Sequence, residues 1–375
     1  MKKQLKFNAD GRFRILCFGD LHEENEFKTE NDYARFNDMQ ALMKAAVEKF
    51  KPDLAVFMGD TYCSNDDPHG MIAKIVKPLT DAGIPFAAVL GNHEHDRDEG
   101  PIVDAYLTNP DSLCFNDDPN ITGNMNYNLT IQASDSDKTV ANLWFIDSNN
   151  LCMSANVSIY DWVHKDQIEW YERKAAELRE QNGGMPVPAV LFQHIPVWEE
   201  SLALREAKPW ELYQSVKGHA FRSDKRYVGN EKVIAGYVGE DPCVPQYHEG
   251  QFESWKKTGD VVAAFFGHDH LNDFTCMIDG IMMGQCKTAG FRCYTDGCQS
   301  SVRIVDIFES NPRNVRTKVV KFKDFGLKCT CLGPIKRNVN DKQSIALTVA
   351  SRVAMGAAAV GTFAVAATKL IGKNK

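Results

Sequence analysis

Residues 12–20 read RFRILCFGD, and Leu21-His22 follow. An apolar run from Arg12 to Phe18 meets Gly19 and hands over at once to an acid and then an imidazole. The same pattern returns in DLAVFMGD (53–60), IPFAAVLGNHE (84–94), VPAVLFQH (187–194) and VVAAFFGHDH (261–270). Each run has the length and β-branched content of a buried strand and ends in polar residues. Helical periodicity fills the gaps between the first three. Asp32–Phe50 places Phe36, Met39, Met43, Ala46, Val47 and Phe50 on one face and stops at Pro52, and Met71–Ala82 forms a second helix closed by Gly83. Strands joined by helices pair in parallel through right-handed crossovers, so the N-terminal part reads as α/β.

Further along, MNYNLTIQ (125–132) and TVANLWFID (139–147) read as antiparallel strands, followed by an amphipathic helix over Trp162–Gln181. Residues 199–250 are rich in glycine, proline, tyrosine and charge, without periodicity, and read as an insertion over one face. DFTCMIDGIMMGQC (273–286), SVRIVDIFES (301–310) and VRTKVVKFK (315–323) read as further strands. No linker or repeat divides the chain before about residue 335. The expectation is one domain over 1–335 and a tail over 336–375. That tail contains VAMGAAAVGTFAVAAT (353–368), either an apolar helix docked on the domain or a weak membrane anchor.

Composition sets the outer bounds. With 375 residues, 43% hydrophobic and 25% charged, the chain can bury a large core and is neither disordered nor fibrous. A net charge of -7 excludes a broad grip on nucleic acid. The 11 cysteines include no CxxC pair, and the N-terminus has no apolar core of a signal peptide, so free thiols and a cytoplasmic location are expected. The denser run from Cys276 to Cys298 and the pair Cys329-Thr330-Cys331 match no ligand spacing, so no metal or redox role is expected there.

Five polar motifs stand at strand ends, in order: Asp20-Leu21-His22, Gly59-Asp60, Gly91-Asn92-His93-Glu94, His194 and Gly267-His268-Asp269-His270. In open α/β sheets, side chains at the carboxyl ends of neighbouring strands converge on one crevice. Two carboxylates, a carboxamide and five imidazoles there suit borderline divalent ions such as Mn, Fe or Zn. Singly each motif is a turn or a packed histidine; together they point to a metal site. The glycines are expected to free the backbone for sharp turns. No nucleophile elbow or phosphate loop is present, and Arg97 stands where a second histidine of HExxH would be.

The set DxH, GD, GNH[DE], H and GHxH, in this order over about residues 12–325, resembles the calcineurin-like metallophosphoesterase superfamily. NMNYNLTI, LWFIDSN, KDQIEWY and FQHIP further resemble the branch related to purple acid phosphatases. The resemblance implies a four-layer α-β-β-α sandwich with mixed sheets. It implies a first metal held by Asp20, His22, Asp60 and His270, and a second held by Asp60, Asn92, His194 and His268, with Asp60 bridging. His93 would face the substrate. The implied activity is hydrolysis of a small phosphomonoester by in-line attack of a metal-bridging hydroxide, with His93 assisting the leaving group. Phosphodiester hydrolysis and a non-catalytic, metal-stabilised binding protein are the alternatives. Glu94, His95 and Asp96 crowd the same loop, either to orient His93 or as solvated charges.

The chain departs from purple acid phosphatases in carrying Asp20-Leu21-His22 where they have Asp-x-Gly, and Gly59-Asp60-Thr61-Tyr62-Cys63 where they have GDxxY. Cys63 occupies the tyrosinate position, so two divalent ions are expected rather than a tyrosinate-bound ferric ion, with Cys63 a packed free thiol. Trp198, Trp210, Tyr213, Tyr227, Tyr237, Tyr247, Arg205, Arg222 and Arg226 could recognise a substrate or pack the insertion onto the body.

Overall fold

The computed structural model describes residues 3–331, apart from 26, 155 and 296, together with residues 350 and 353–357. The described residues include five helices of eight or more residues: α1 (Glu30–Phe50), α2 (Pro68–Thr80), α3 (Gly100–Thr108), α4 (Lys165–Gln181) and α5 (Gln251–Thr258). Thr29 caps α1 by accepting from the Asp32 N–H, while Asp32 accepts from the Thr29 N–H, and Lys51 closes the helix in a left-handed conformation ahead of Pro52. α2 starts earlier than its apolar periodicity suggests, because Asp67 accepts from the Gly70 N–H and Pro68 occupies the first turn.

Two main sheets face each other. The first has five strands in the order Arg316–Lys321, Ser301–Phe308, Arg12–Phe18, Leu54–Phe57, Phe86–Ala88, the last three parallel. The second has eight, in the order Leu5–Lys6, Tyr127–Gln132, Thr139–Phe145, Ala189–Gln193, Val261–Phe266, Ile281–Gln285, Thr275–Ile278, Val233–Ala235, with its central four parallel.

Alternation along the central strands fixes the layers. Leu143, Phe145, Val190, Phe192, Ala263 and Phe265 join the cluster that contains the five-stranded sheet and α1–α3. Their neighbours Trp144, Leu191, Ala264 and Phe266 join a second cluster with Ile168 and Tyr171 of α4 and Phe252 and Trp255 of α5. Successive side chains point to opposite faces, so a strand covered on both sides must be apolar throughout. The result is a four-layer α-β-β-α sandwich.

Arg303 links the sheets. It is 2% exposed on Ser301–Phe308 and donates to the carbonyls of Gln285, Asp273 and Phe274 and to the Thr275 hydroxyl, all of the opposite sheet or its entry. A buried guanidinium with this many acceptors is satisfied, and removing it would strand several carbonyls.

The region 199–250 is more ordered than its composition suggests. Leu204–Glu206, Arg226–Gly229 and Val216–Lys217 form a separate small sheet, and Val233–Ala235 extends the eight-stranded one. Its arginines are largely engaged within it. Arg205 pairs with Glu211, Arg222 lies over Tyr227 and pairs with Asp241, and Arg226 donates to Ser215, while Trp210 and Tyr213 are exposed. Among the described residues no helix is long and apolar enough to cross a membrane. Most of the 336–375 tail, including nearly all of the apolar stretch 353–368, lies outside the described residues; 353–357 are helical and exposed.

Candidate metal centre

The strand ends converge as expected. Arg12–Phe18, Leu54–Phe57 and the segment after Phe86–Ala88 deliver Asp20 with His22, Asp60, and Asn92 with His93; Ala189–Gln193 and Val261–Phe266 deliver His194 and then His268 with His270. Asp20, His22, Asp60 and His268 all have left-handed backbone angles, with φ of 52°, 49°, 49° and 72°. For residues with a Cβ this conformation is strained, and such strain persists where surrounding structure enforces it, often at functional sites.

This revises the role of the glycines. Of Gly19, Gly59, Gly91 and Gly267, only Gly59 has positive φ. The others are glycine for space: a Cβ on Gly91 would lie 2.3 Å from Asp60 Oδ1, and one on Gly19 would lie 2.4 Å from the Cys286 carbonyl oxygen. The sharp turn is taken by the ligand-bearing residues themselves.

The geometry centres on Asp60. Its Oδ2 lies 3.5 Å from His22 Nε2 and 3.2 Å from His194 Nε2, one contact on each side, while Oδ1 accepts the His93 N–H at 2.9 Å. On one side His22 Nε2 faces His270 Nε2 at 3.0 Å, and His270 Nε2 lies 3.7 Å from Asp20 Oδ1. On the other, His194 Nε2 lies 3.2 Å from Asn92 Oδ1 and 3.2 Å from His268 Nδ1. His270 Nδ1 donates to the Tyr294 carbonyl and His194 Nδ1 to the Met58 carbonyl, so each turns its Nε2 inward, the position from which a neutral ring ligates.

These residues fit metal ions better than they fit one another. Two imidazole nitrogens pointed together and a buried Asp20 Oδ2 with no partner are the polar atoms a cation would satisfy. Electrostatics agree. Burial pushes His22 down to about 4 and His270 to about 3, which keeps both neutral near pH 7. Burial acts against the charge on His194 too, but Asp60 and Asp20 outweigh it and raise His194 to about 10. Burial would likewise raise Asp60, yet His194 and His22 hold it well below the usual carboxylate range. The His194 proton thus balances acids that a divalent ion would neutralise, and ion binding should release it.

The loop that follows Asn92 divides its charges among three tasks. Asp96 Oδ2 sits 2.6 Å from His93 Nδ1 and orients that ring. His95, raised to about 9 by Asp147 against the opposing effect of burial, pins the loop to Asp147 at 3.0 Å. Glu94 is 3% exposed, and its two oxygens accept the backbone N–H groups of Asp60, Thr61, Tyr62 and Gly91 at 2.6–3.2 Å. It braces the turn that presents Asp60. Glu94→Gln would set an amide donor against two of those N–H groups, so a loss of about 2–4 kcal/mol is expected, read as a lower urea midpoint at unchanged slope.

Some neighbours have no signal in the strand-end pattern. Tyr160 meets His268 edge-on at 4.5 Å, and Tyr294 stacks on His270 at 4.0 Å. Cys293 Sγ lies within 4.8 Å of a ring nitrogen of His22 and of one of His270. Cys63, by contrast, sits 3.5 Å from His22 Nδ1, on the side of the ring away from His270.

A two-sheet sandwich with an aspartate, carboxamide and histidine centre at its strand ends defines a class of metal-dependent hydrolases. The chain belongs to the calcineurin-like phosphoesterase family, whose model matches residues 13–272. It is 27% identical over 335 residues to "Probable inactive purple acid phosphatase 14" of Arabidopsis thaliana, covering 81% of this chain and 77% of the relative. It is also 27% identical to "Probable inactive purple acid phosphatase 29" of the same plant, covering 85% and 83%. "Phosphatase DCR2" of Saccharomyces cerevisiae is 26% identical over 74% of this chain and 47% of its own length. Among solved structures, a dimetal phosphatase from Danio rerio aligns over 83% of this chain and 99% of its own at 12% identity and a TM-score of 0.45.

Proposed function

We propose that the protein is an active phosphatase that uses two divalent ions, Mn, Fe or Zn, to hydrolyse a small phosphomonoester. Asp20, His22, Asp60 and His270 would hold one ion, and Asp60, Asn92, His194 and His268 the other. The observation that carries this reading is the placement of Asp60 Oδ2 between His22 and His194. When bound, the ions supply charge to offset the phosphate and lower the pKa of a coordinated water. The rest falls to this chain's residues. Asp60 sets the spacing, Glu94 holds the Asp60 turn, and Asp96 fixes His93 so that its Nε2 can give a proton to the departing ester oxygen.

Two relatives are named as probably inactive and one as a phosphatase, so the names alone do not choose between catalysis and a non-catalytic role. Catalysis is favoured because all seven ligand candidates and His93 are present and converge. A phosphodiesterase acting through the same residues is the second reading. The free cysteines suit a reducing cytoplasm.

The deciding experiment couples metal analysis to a panel of aryl and alkyl mono- and diesters. Two ions per chain and faster turnover of monoesters are expected. Faster turnover of diesters would shift the assignment to a phosphodiesterase, and bound ions without hydrolysis would establish the binding role.

A further inference from the structure

We infer that Cys293 is an additional ligand, through its thiolate, of the ion held by His22 and His270; this rests on the two-ion reading above. Cys293 belongs to the loop 288–295, whose approach to the centre is enforced from both sides. The Thr288 hydroxyl donates to the Asp20 carbonyl at 2.7 Å, and the Ala289 N–H donates to the Gly19 carbonyl at 2.8 Å. Gly290 lies so close to the Asp20–Leu21 backbone that a Cβ there would stand 2.6 Å from the Leu21 carbonyl oxygen. Immediately before the cysteine, Arg292 Nε donates to the buried Glu23, the residue after His22, at 2.7 Å. Immediately after it, Tyr294 stacks on the His270 ring at an interplanar angle of 4° and accepts from His270 Nδ1 through its carbonyl. Cys293 is thus held between one residue tied to the neighbour of His22 and another tied to His270.

Sγ lies within 4.8 Å of a ring nitrogen of His22 and of a ring nitrogen of His270, a span that one cation can bridge. The buried Asp20 Oδ2, without a partner, belongs to the same ligand set. Cys63 cannot take this role, because its Sγ contacts His22 Nδ1 rather than the nitrogen turned to His270. Ligation forms a metal–sulfur bond, displaces a coordinated water and releases the thiol proton to solvent. A soft thiolate added to imidazole and carboxylate favours zinc or ferrous iron over manganese. Cys293 is exposed, so replacing it with serine leaves the core untouched.

Cobalt(II) substitution of the full chain tests this with a spectroscopic readout. Visible ligand-field bands and metal stoichiometry report occupancy of the centre, and a near-ultraviolet sulfur-to-cobalt charge-transfer band reports a thiolate ligand. The expected result is that this band is present in the parent and in Cys63→Ser but lost in Cys293→Ser, with cobalt stoichiometry unchanged in all three. Bound cobalt with no sulfur band, or a band that survives Cys293→Ser, would overturn the inference and leave the two-ion reading standing. Failure of the parent chain to retain cobalt would overturn both.

Discussion

Asp60→Asn is expected to release at least one of the two ions in elemental analysis and to lower turnover about a thousandfold, equivalent to about 4 kcal/mol of lost transition-state stabilisation. The wild-type carboxylate is used at both oxygens: Oδ1 accepts the His93 N–H, and Oδ2 lies between His22 and His194. A carboxamide has one acceptor oxygen. Turned one way, its NH2 opposes the His93 N–H; turned the other, it points a donor and no negative charge at the place where the ions share a ligand. The first orientation leaves only a neutral oxygen at the proposed bridge and clashes with the His93 N–H, and the second removes the bridging oxygen; both keep nearly the same volume. Retention of both ions in the variant would show that Asp60 does not bridge them.

His93→Ala should have the opposite profile, keeping both ions while losing about 10²–10⁴-fold in turnover. His93 is not a member of either proposed ligand set, and its side chain is 44% exposed. Its ring lies 5.1 Å from that of His22, and Asp96 engages Nδ1, leaving Nε2 to serve the ester. A proton donor matters most where the leaving alkoxide is a strong base. The loss should therefore be larger for alkyl than for aryl monoesters, a contrast that separates proton donation from displaced substrate. Equal turnover in variant and parent would remove His93 from the mechanism.

The sandwich was legible where strands are buried on both faces, because Val190 to Gln193 or Val261 to Phe266 can only be core. α3 and α5 were not foreseen: GPIVDAYLT is nine residues and QFESWKKT eight, too short for a helical repeat to stand out. The small sheet of the 199–250 region escaped for the same reason, its strands being two to four residues long. The convergence of the ligand candidates was legible because each follows a strand end, where topology alone brings residues together. Glu94 was visible, but its fourfold acceptance of backbone donors was not, since that depends on two loops folding against each other. Tyr160, Tyr294 and Cys293 reach the centre from loops without a strand-end pattern, so spacing gives no hint of them.

The ligand candidates do not come from one sheet. Asp20, His22, Asp60 and Asn92 follow strands of the five-stranded sheet, whereas His194, His268 and His270 follow strands of the eight-stranded one. In the proposed assignment each ion would draw on both, and its binding energy would oppose any sliding of one layer over the other. Arg303 crosses the same interface without needing an ion. Ions so bound would oblige the two halves to melt as one unit. After chelation that obligation would rest on Arg303 and the apolar contacts, so the proposed centre would also set how cooperatively the molecule unfolds.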